Sequence, residues 1–190
     1  MRTKPITRRT VLSLRDKMPE PARVAASEAI AATVETELAA LPSGSLVGLY
    51  APTGTEVETA TLDRDLRARG LRVAYPRIVA GRRTLAFCEV AIDELVSAHF
   101  GLREPRPDAS AVDLAIIAAF VIPGLAFDRG GGRVGWGRGY YDATLVHAPN
   151  ALRIGIAFEC QLVESVPLDA HDALLHYVVT ETATYRGAGS

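Results

Sequence analysis

Leu114-Ala115-Ile116-Ile117-Ala118-Ala119-Phe120-Val121-Ile122 is an unbroken apolar run stopped by Pro123-Gly124. Branched and aromatic side chains at consecutive positions, without alternation, mark a strand buried on both faces, as in parallel sheets covered by helices. After Leu125-Ala126-Phe127-Asp128-Arg129 come Gly130-Gly131-Gly132-Arg133-Val134-Gly135-Trp136-Gly137-Arg138-Gly139-Tyr140-Tyr141-Asp142, and Gly139 to His147 has the composition of a helix. Strand, glycine-rich loop and helix follow one another in the order in which open α/β sheets present a ligand site.

Outward from this unit the alternation continues. Pro5 to about Lys17 reads as a short basic helix, with Pro5 suited to its first turn. Pro21 to Leu41 reads as a long alanine-rich helix ended by Pro42-Ser43-Gly44. Leu46 to Ala51 is a second buried strand. Thr55 stands three residues ahead of Glu58, the spacing of a capping box, before a helical segment that Gly70 stops. Leu71 to Tyr75 is expected to be a strand closed by Pro76, and Thr84 to Val90 a hairpin or edge strand. Leu152 to Phe158 and Tyr177 to Thr180 supply two more strands. The expected class is α/β: an open, mainly parallel sheet with helices on both faces, three-layered and Rossmann-like. No repeat or strong linker interrupts residues 1–190, so one domain is expected.

Composition narrows the function classes. A net charge of −1 over 190 residues carries no basic excess, so nucleic acid is not the expected partner. The longest apolar stretch, Leu114 to Phe127, is too short for a membrane span and contains Pro123. Arg8-Arg9-Thr10-Val11-Leu12 has the look of a twin-arginine export signal, but Arg15, Asp16, Lys17, Glu20 and Arg23 occupy the place of its apolar run. No export is expected, and the chain is read as cytoplasmic. Cys88 and Cys160 have no metal-type spacing and read as reduced, packed thiols. His99, His147 and His176 are isolated and read as structural or solvated.

The glycine loop carries the densest chemical signal: six of sixteen glycines fall within residues 130–139, interleaved with Arg133 and Arg138. Residues without a β-carbon let backbone amides approach an anion, and guanidiniums add forked bonds to phosphate oxygens. The following helix would turn its positive end to the same phosphate, with Asp142 as a hard oxygen ligand for magnesium. Gly130-x-Gly132-x-x-Gly135 satisfies the dinucleotide spacing formally, but residues 123–129 separate it from the strand, so a Rossmann dinucleotide site is discounted. A Walker A loop is excluded, because no Gly-Lys-Ser/Thr occurs.

At this loop the sequence resembles the 5-formyltetrahydrofolate cyclo-ligase family. Pro123-Gly124-Leu125-Ala126-Phe127-Asp128 and the run from Gly131 to Asp142 follow the family signature, with Val134 in place of leucine. Further ordered matches are Lys4 with Arg8, Glu56-Val57-Glu58-Thr59, Tyr75-Pro76-Arg77, Phe158-Glu159-Cys160-Gln161 and His171-Asp172. The resemblance implies conversion of 5-formyltetrahydrofolate to 5,10-methenyltetrahydrofolate at the expense of ATP and magnesium, by a monomer.

The resemblance also implies roles. Lys4, Arg8 and Arg133 would be catalytic. ATP would be held by Lys4, Arg8, Arg133, Val134, Gly135, Trp136, Gly137, Arg138, Gly139, Tyr140 and Tyr141. The folate would meet Tyr50, Ala51, Glu56, Trp136, Gly137, Arg138, Gly139 and Tyr140, and magnesium would sit on Asp142 and Asp172. Taken alone, several of these residues have a second reading. Lys4 and Arg8 also fit a solvated basic helix end, Asp142 a helix cap and Asp172 an exposed turn. Tyr140 fits core packing, Trp136 a cap on its own loop, and Arg77 either an anion site or an ion pair. The alternative function is a non-catalytic nucleotide- or folate-binding module of the same fold. A phosphosugar isomerase or transferase would need a base at the strand ends that no residue marks.

Overall fold

The structure, a computed structural model, describes residues 4–169 and 172–189. Its helices are α1 (Lys4–Arg15), α2 (Glu20–Glu37), α3 (Ala60–Ala68) and α4 (Tyr140–Leu145). Its strands are β1 (Leu46–Gly48), β2 (Arg72–Ile78), β3 (Leu85–Glu89), β4 (Val96–Ser97), β5 (Arg103–Glu104) and β6 (Ile117–Ile122). They continue with β7 (Ala126–Phe127), β8 (Arg133–Val134), β9 (Leu152–Ile156), β10 (Tyr177–Val179) and β11 (Thr184–Arg186).

Among the described residues, seven strands make one sheet in the order β11-β10-β9-β6-β1-β2-β3. The five inner strands run parallel to one another, and β3 and β11 close the edges antiparallel. The chain leaves β1 for β2 on one side and returns to β6 on the other. That reversal opens a crevice at the carboxyl ends of β1 and β6, where open α/β sheets bind ligands.

Alternation along the strands sorts the core into two layers. Val47, Val73, Ala119, Val121, Ile154 and Ile156 face α2 and α3, meeting Ile30, Val34, Leu62 and Leu66. Leu46, Ala74, Phe120, Ile122 and Val178 face the other way, with Phe87, Phe127 and Leu145 of α4. On this second face, glycines inside strands make room for aromatic rings. A Cβ on Gly48 would lie 2.8 Å from Phe120 and 2.9 Å from Phe87, which pack edge to face at 5.1 Å. A Cβ on Gly155 would lie 2.7 Å from Phe127.

Several elements depart from their sequence reading. β2 runs through Pro76 to Ile78. The last β1–β2 partners are Gly48 and Ala74, so Pro76 needs no amide on that side, and it pairs opposite Phe87 of β3. The capping box at Thr55 and Glu58 does not form, because Thr55 donates to Asp16 Oδ1 at 2.5 Å instead and α3 begins only at Ala60. Leu114–Ile116 is a 3₁₀ turn, capped by Asp113 Oδ1 accepting from the Ala115 amide at 3.0 Å. The short strands β4, β5, β7, β8 and β11 had no sequence reading. Among the described residues, no helix is long and apolar enough to cross a membrane.

Candidate functional site

One cavity of about 660 Å³ occupies the crevice beyond β1 and β6. Lys4, Arg8, Tyr50, Ala51, Glu56, every residue from Arg133 to Asp142, and Asp172 all line it. Segments far apart in sequence are thus gathered on one space: the first turn of α1, the exit from β1, the loop from β8 into α4, and the stretch before β10. A chain of net charge −1 brings six basic side chains here, since Arg83, Arg103 and Arg138 join Lys4, Arg8 and Arg133.

The loop glycines serve the arginines as much as any ligand. Arg8 Nε donates to the Gly135 carbonyl at 2.8 Å, and a Cβ on Gly137, whose φ is +92°, would lie 2.9 Å from Arg8 Nη2. A Cβ on Gly135 would lie 2.8 Å from Arg133 Nη1. Side chains at these positions would push the two guanidiniums off the loop. α4 has six residues, so its amides can contribute locally but its macrodipole is small.

Two basic side chains, Lys4 and Arg133, are ion-paired on the α4 side of the cavity. Lys4 Nζ lies 2.5 Å from Asp172 Oδ2 and 2.8 Å from Asp169 Oδ2. Burial opposes the Lys4 charge, but hydrogen bonds and charge from Asp169 and Asp172 outweigh it, and its pKa is raised. Burial likewise opposes the Asp172 charge, yet the Asp169 amide, Lys4 and Arg133 hold its carboxyl below the ordinary range. Arg133 Nη2 lies 3.1 Å from Asp142 Oδ1, which also accepts from the Ala173 amide at 3.2 Å. Lys4 and Arg133, two of the cations expected on a phosphate, are therefore each held by a carboxylate expected on magnesium. Two carboxylates suit an ion that keeps water and takes phosphate oxygens as further ligands. No group of three His, Cys, Asp or Glu among the described residues could hold a metal by itself.

On the opposite wall, Tyr50 and Glu56 are fixed by the turn that follows β1. Tyr50 donates to the Val57 carbonyl at 2.8 Å, and Thr59 donates to the Tyr50 carbonyl at 2.8 Å. Glu56, 8 % exposed, accepts the Thr53 amide on Oε2 at 3.0 Å. Burial raises its pKa, against smaller opposing effects of the Thr53 amide, Arg15 and the Trp136 side chain. Trp136 is 61 % exposed, so it overhangs the cavity rather than filling the core. Tyr140 both lines the cavity and packs against the second core layer, and Tyr141, beside the Arg133 guanidinium at 5.5 Å, has its phenol pushed up by burial.

Half of the glycine loop lies elsewhere. Gly130–Gly132 form the β7–β8 turn: Asp128 accepts the amides of Gly130 at 3.0 Å and Gly132 at 2.8 Å, and the Gly131 carbonyl accepts from Leu175 at 3.0 Å. None of the three lines the cavity. The Asp172 half of the His171-Asp172 motif is at the site; His171 lies outside the described residues. Arg77, read as an anion site or an ion pair, donates instead to the carbonyls of Arg106 and Ala109. Gln161 is buried and braces the cavity wall, donating to the Gly124 carbonyl at 2.9 Å and to Leu125 at 3.2 Å. Arg83, Arg103, Glu104 and Asp169 line the cavity without having been picked out. They sit on the β2–β3 turn, β5 and the stretch before Asp172, and no local pattern distinguishes them from surface charge.

Comparison with known proteins agrees on one family. Residues 1–181 match the model of the 5-formyltetrahydrofolate cyclo-ligase family. A 5-formyltetrahydrofolate cyclo-ligase of Mycolicibacterium smegmatis is 33% identical, over 94% of this chain and 94% of its own. The 5-formyltetrahydrofolate cyclo-ligase of Escherichia coli K12 is 32% identical over 68% of this chain and 74% of its own. The solved 5,10-methenyltetrahydrofolate synthetase of Aquifex aeolicus superposes with a TM-score of 0.79 at 29% identity, covering 98% of this chain and 94% of that one.

Proposed function

Because the chain belongs to the 5-formyltetrahydrofolate cyclo-ligase family, and is thus an ATP-dependent cyclo-ligase, we propose that it closes the folate ring in the cavity between β1, β6 and residues 133–142. It would do so as a monomer and as one domain. The γ-phosphoryl group of ATP passes to the formyl oxygen of 5-formyltetrahydrofolate, and ADP leaves. N10 then attacks the formyl carbon and loses its proton. The carbon–oxygen bond breaks with release of phosphate, leaving 5,10-methenyltetrahydrofolate. Phosphorylation is what turns a poor leaving group into a good one, so no protein nucleophile is required. Positioning and charge stabilisation carry the rate.

In this reading Lys4, Arg8 and Arg133 neutralise the triphosphate and the phosphoryl group in flight. Asp142 and Asp172 would hold magnesium, which when bound screens the phosphate oxygens. Binding then exchanges partners: the two aspartates release Lys4 and Arg133 to the nucleotide. The backbone and side chains of Val134 to Tyr141 line both substrates. Glu56 accepts N–H groups of the pterin, beside Tyr50 and Ala51.

One observation carries the reading: residues of the family motifs, drawn from four separate stretches of chain, line one cavity. The protein mixed with ATP, magnesium and 5-formyltetrahydrofolate should develop the absorbance of the methenyl product. A purified, folded protein that binds both substrates yet gives no ATP-dependent colour overturns it.

A further inference from the structure

Arg15 ends the helix whose first turn carries Lys4 and Arg8 into the cavity, yet Arg15 itself is only 3 % exposed. Its Nε donates to Thr55 Oγ1 at 3.0 Å, while its Nη1 is buried without a hydrogen-bond partner. Thr55 in turn donates to Asp16 Oδ1 at 2.5 Å. Two successive residues at the end of α1 therefore grip one hydroxyl. The next residue in the chain is Glu56, a buried carboxylate on the cavity wall. Burying a guanidinium with so few partners is costly and calls for a reason. Packing alone would be served by an apolar side chain.

We propose that Arg15 is a positioning residue for Glu56, fastening the 53–56 turn to α1 and supplying the positive charge that keeps this carboxylate an acceptor for the substrate. The proposal rests on the folate-binding role given to Glu56 above. It makes α1 a single ruler for both halves of the reaction. The same helix sets Lys4 and Arg8 on the phosphate side and, through Arg15 and Thr55, sets Glu56 on the other.

The groups that face Glu56 support this division of labour. Tyr50 follows β1 and Tyr141 belongs to α4, and burial raises both phenols, so they stay neutral. Glu58, on the same stretch, adds like charge, and Trp136 reaches over from the loop. Arg15 acts on Glu56 as a cation, and burial of Glu56 works against it. Without Arg15 the carboxyl would protonate at higher pH and lose acceptor capacity.

The test is the pH dependence of KM for 5-formyltetrahydrofolate in Arg15→Met, Arg15→Lys and Glu56→Gln, with thermal unfolding recorded in parallel. In Arg15→Met the acidic limb should move up by about one pH unit, the size of effect a neighbouring charge has on a carboxyl. Arg15→Lys should return most of the shift, and on a Glu56→Gln background Arg15→Met should leave no limb to move. A limb that stays in place in Arg15→Met, with only the unfolding temperature lowered, overturns the proposal. If Arg15→Met does not fold, Arg15→Gln compared with Arg15→Lys decides in the same way. A Glu56→Gln variant with unchanged folate KM instead refutes the pterin role of Glu56, a separable failure.

Discussion

Lys4 Nζ lies 2.5 Å from Asp172 Oδ2, tying the first turn of α1 to the chain just before β10. If this pair and its neighbour Arg133–Asp142 trade partners when nucleotide binds, their members should fail in different currencies. Lys4→Met should lower kcat/KM for ATP by about a hundredfold, the usual cost of removing a charge from a developing anion. Asp142→Asn should raise the magnesium concentration for half-maximal rate about tenfold, as loss of a metal's oxygen ligand or its support does. Metal titrations that are unchanged in both Asp142→Asn and Asp172→Asn would remove these residues from the metal.

Glu56 should trade stability for binding. Its folded pKa is raised, chiefly by burial. The folded state therefore holds the proton more tightly than the unfolded chain, and stability falls as pH rises through that raised pKa. Wherever it is ionised, the buried carboxylate is a net burden on the fold. Glu56→Gln keeps an oxygen for the Thr53 amide and should raise the unfolding temperature at pH 7, with the gain vanishing at low pH. Its KM for the folate should rise about tenfold, the cost of one charged acceptor. A variant that is less stable at pH 7 and equally so at pH 4 contradicts this account.

Gly137→Ala probes the loop. Its φ of +92° strains any side chain, and the added carbon would stand 2.9 Å from Arg8. The backbone term is about 1 kcal/mol, borne by an exposed loop. The larger effect should be on ATP, because Arg8 must leave the Gly135 carbonyl to which it is bonded. We expect kcat/KM for ATP to fall at least as far as in Arg8→Met, with little change in unfolding temperature. A fall in folate binding alone would place the loop's duty elsewhere.

Much of this could be read from the chain because the strands β1 and β6 are uniformly apolar and the ligand loop sits where an open sheet reverses. Less legible was how one glycine differs from another. Gly130–Gly132 and Gly135–Gly139 look alike in sequence, but Asp128 folds the first group into a turn against Leu175 and only the second meets the cavity. Thr55 and Glu58 carry capping-box spacing, yet α1 packs close enough to offer Thr55 better partners in Arg15 and Asp16. Pro76 was expected to end a strand, and does not, because β1 is too short to need its amide. In each instance the deciding partner is remote in sequence. The brace from Gln161 to Gly124 and the pocket role of Arg83 are invisible for the same reason.

Gly48 belongs to that class and can be tested by stability alone. A Cβ there meets Phe120 at 2.8 Å and Phe87 at 2.9 Å, in the middle of the sheet. Neither ring can retreat, since both are fully buried. Gly48→Ala should cost about 2 kcal/mol by overpacking, despite alanine's smaller entropy loss in the backbone. Chemical denaturation measures it. A neutral or stabilising effect would mean that the Phe87–Phe120 pair has slack that the edge-to-face contact conceals.

Trp136 offers the most direct view of the site, because it is the chain's one tryptophan and lines the cavity while remaining 61 % exposed. Its emission should be that of a solvated indole in the free protein. The side chain acts on Glu56, so a pterin bound at Glu56 would meet the indole and could stack on it. Titration with 5-formyltetrahydrofolate should then quench or blue-shift the emission. ATP with magnesium should do so less, and Glu56→Gln should move the titration to higher folate concentration. An emission that responds to nucleotide but not to saturating folate would put the indole over the triphosphate, and Glu56 would lose its neighbour in substrate recognition.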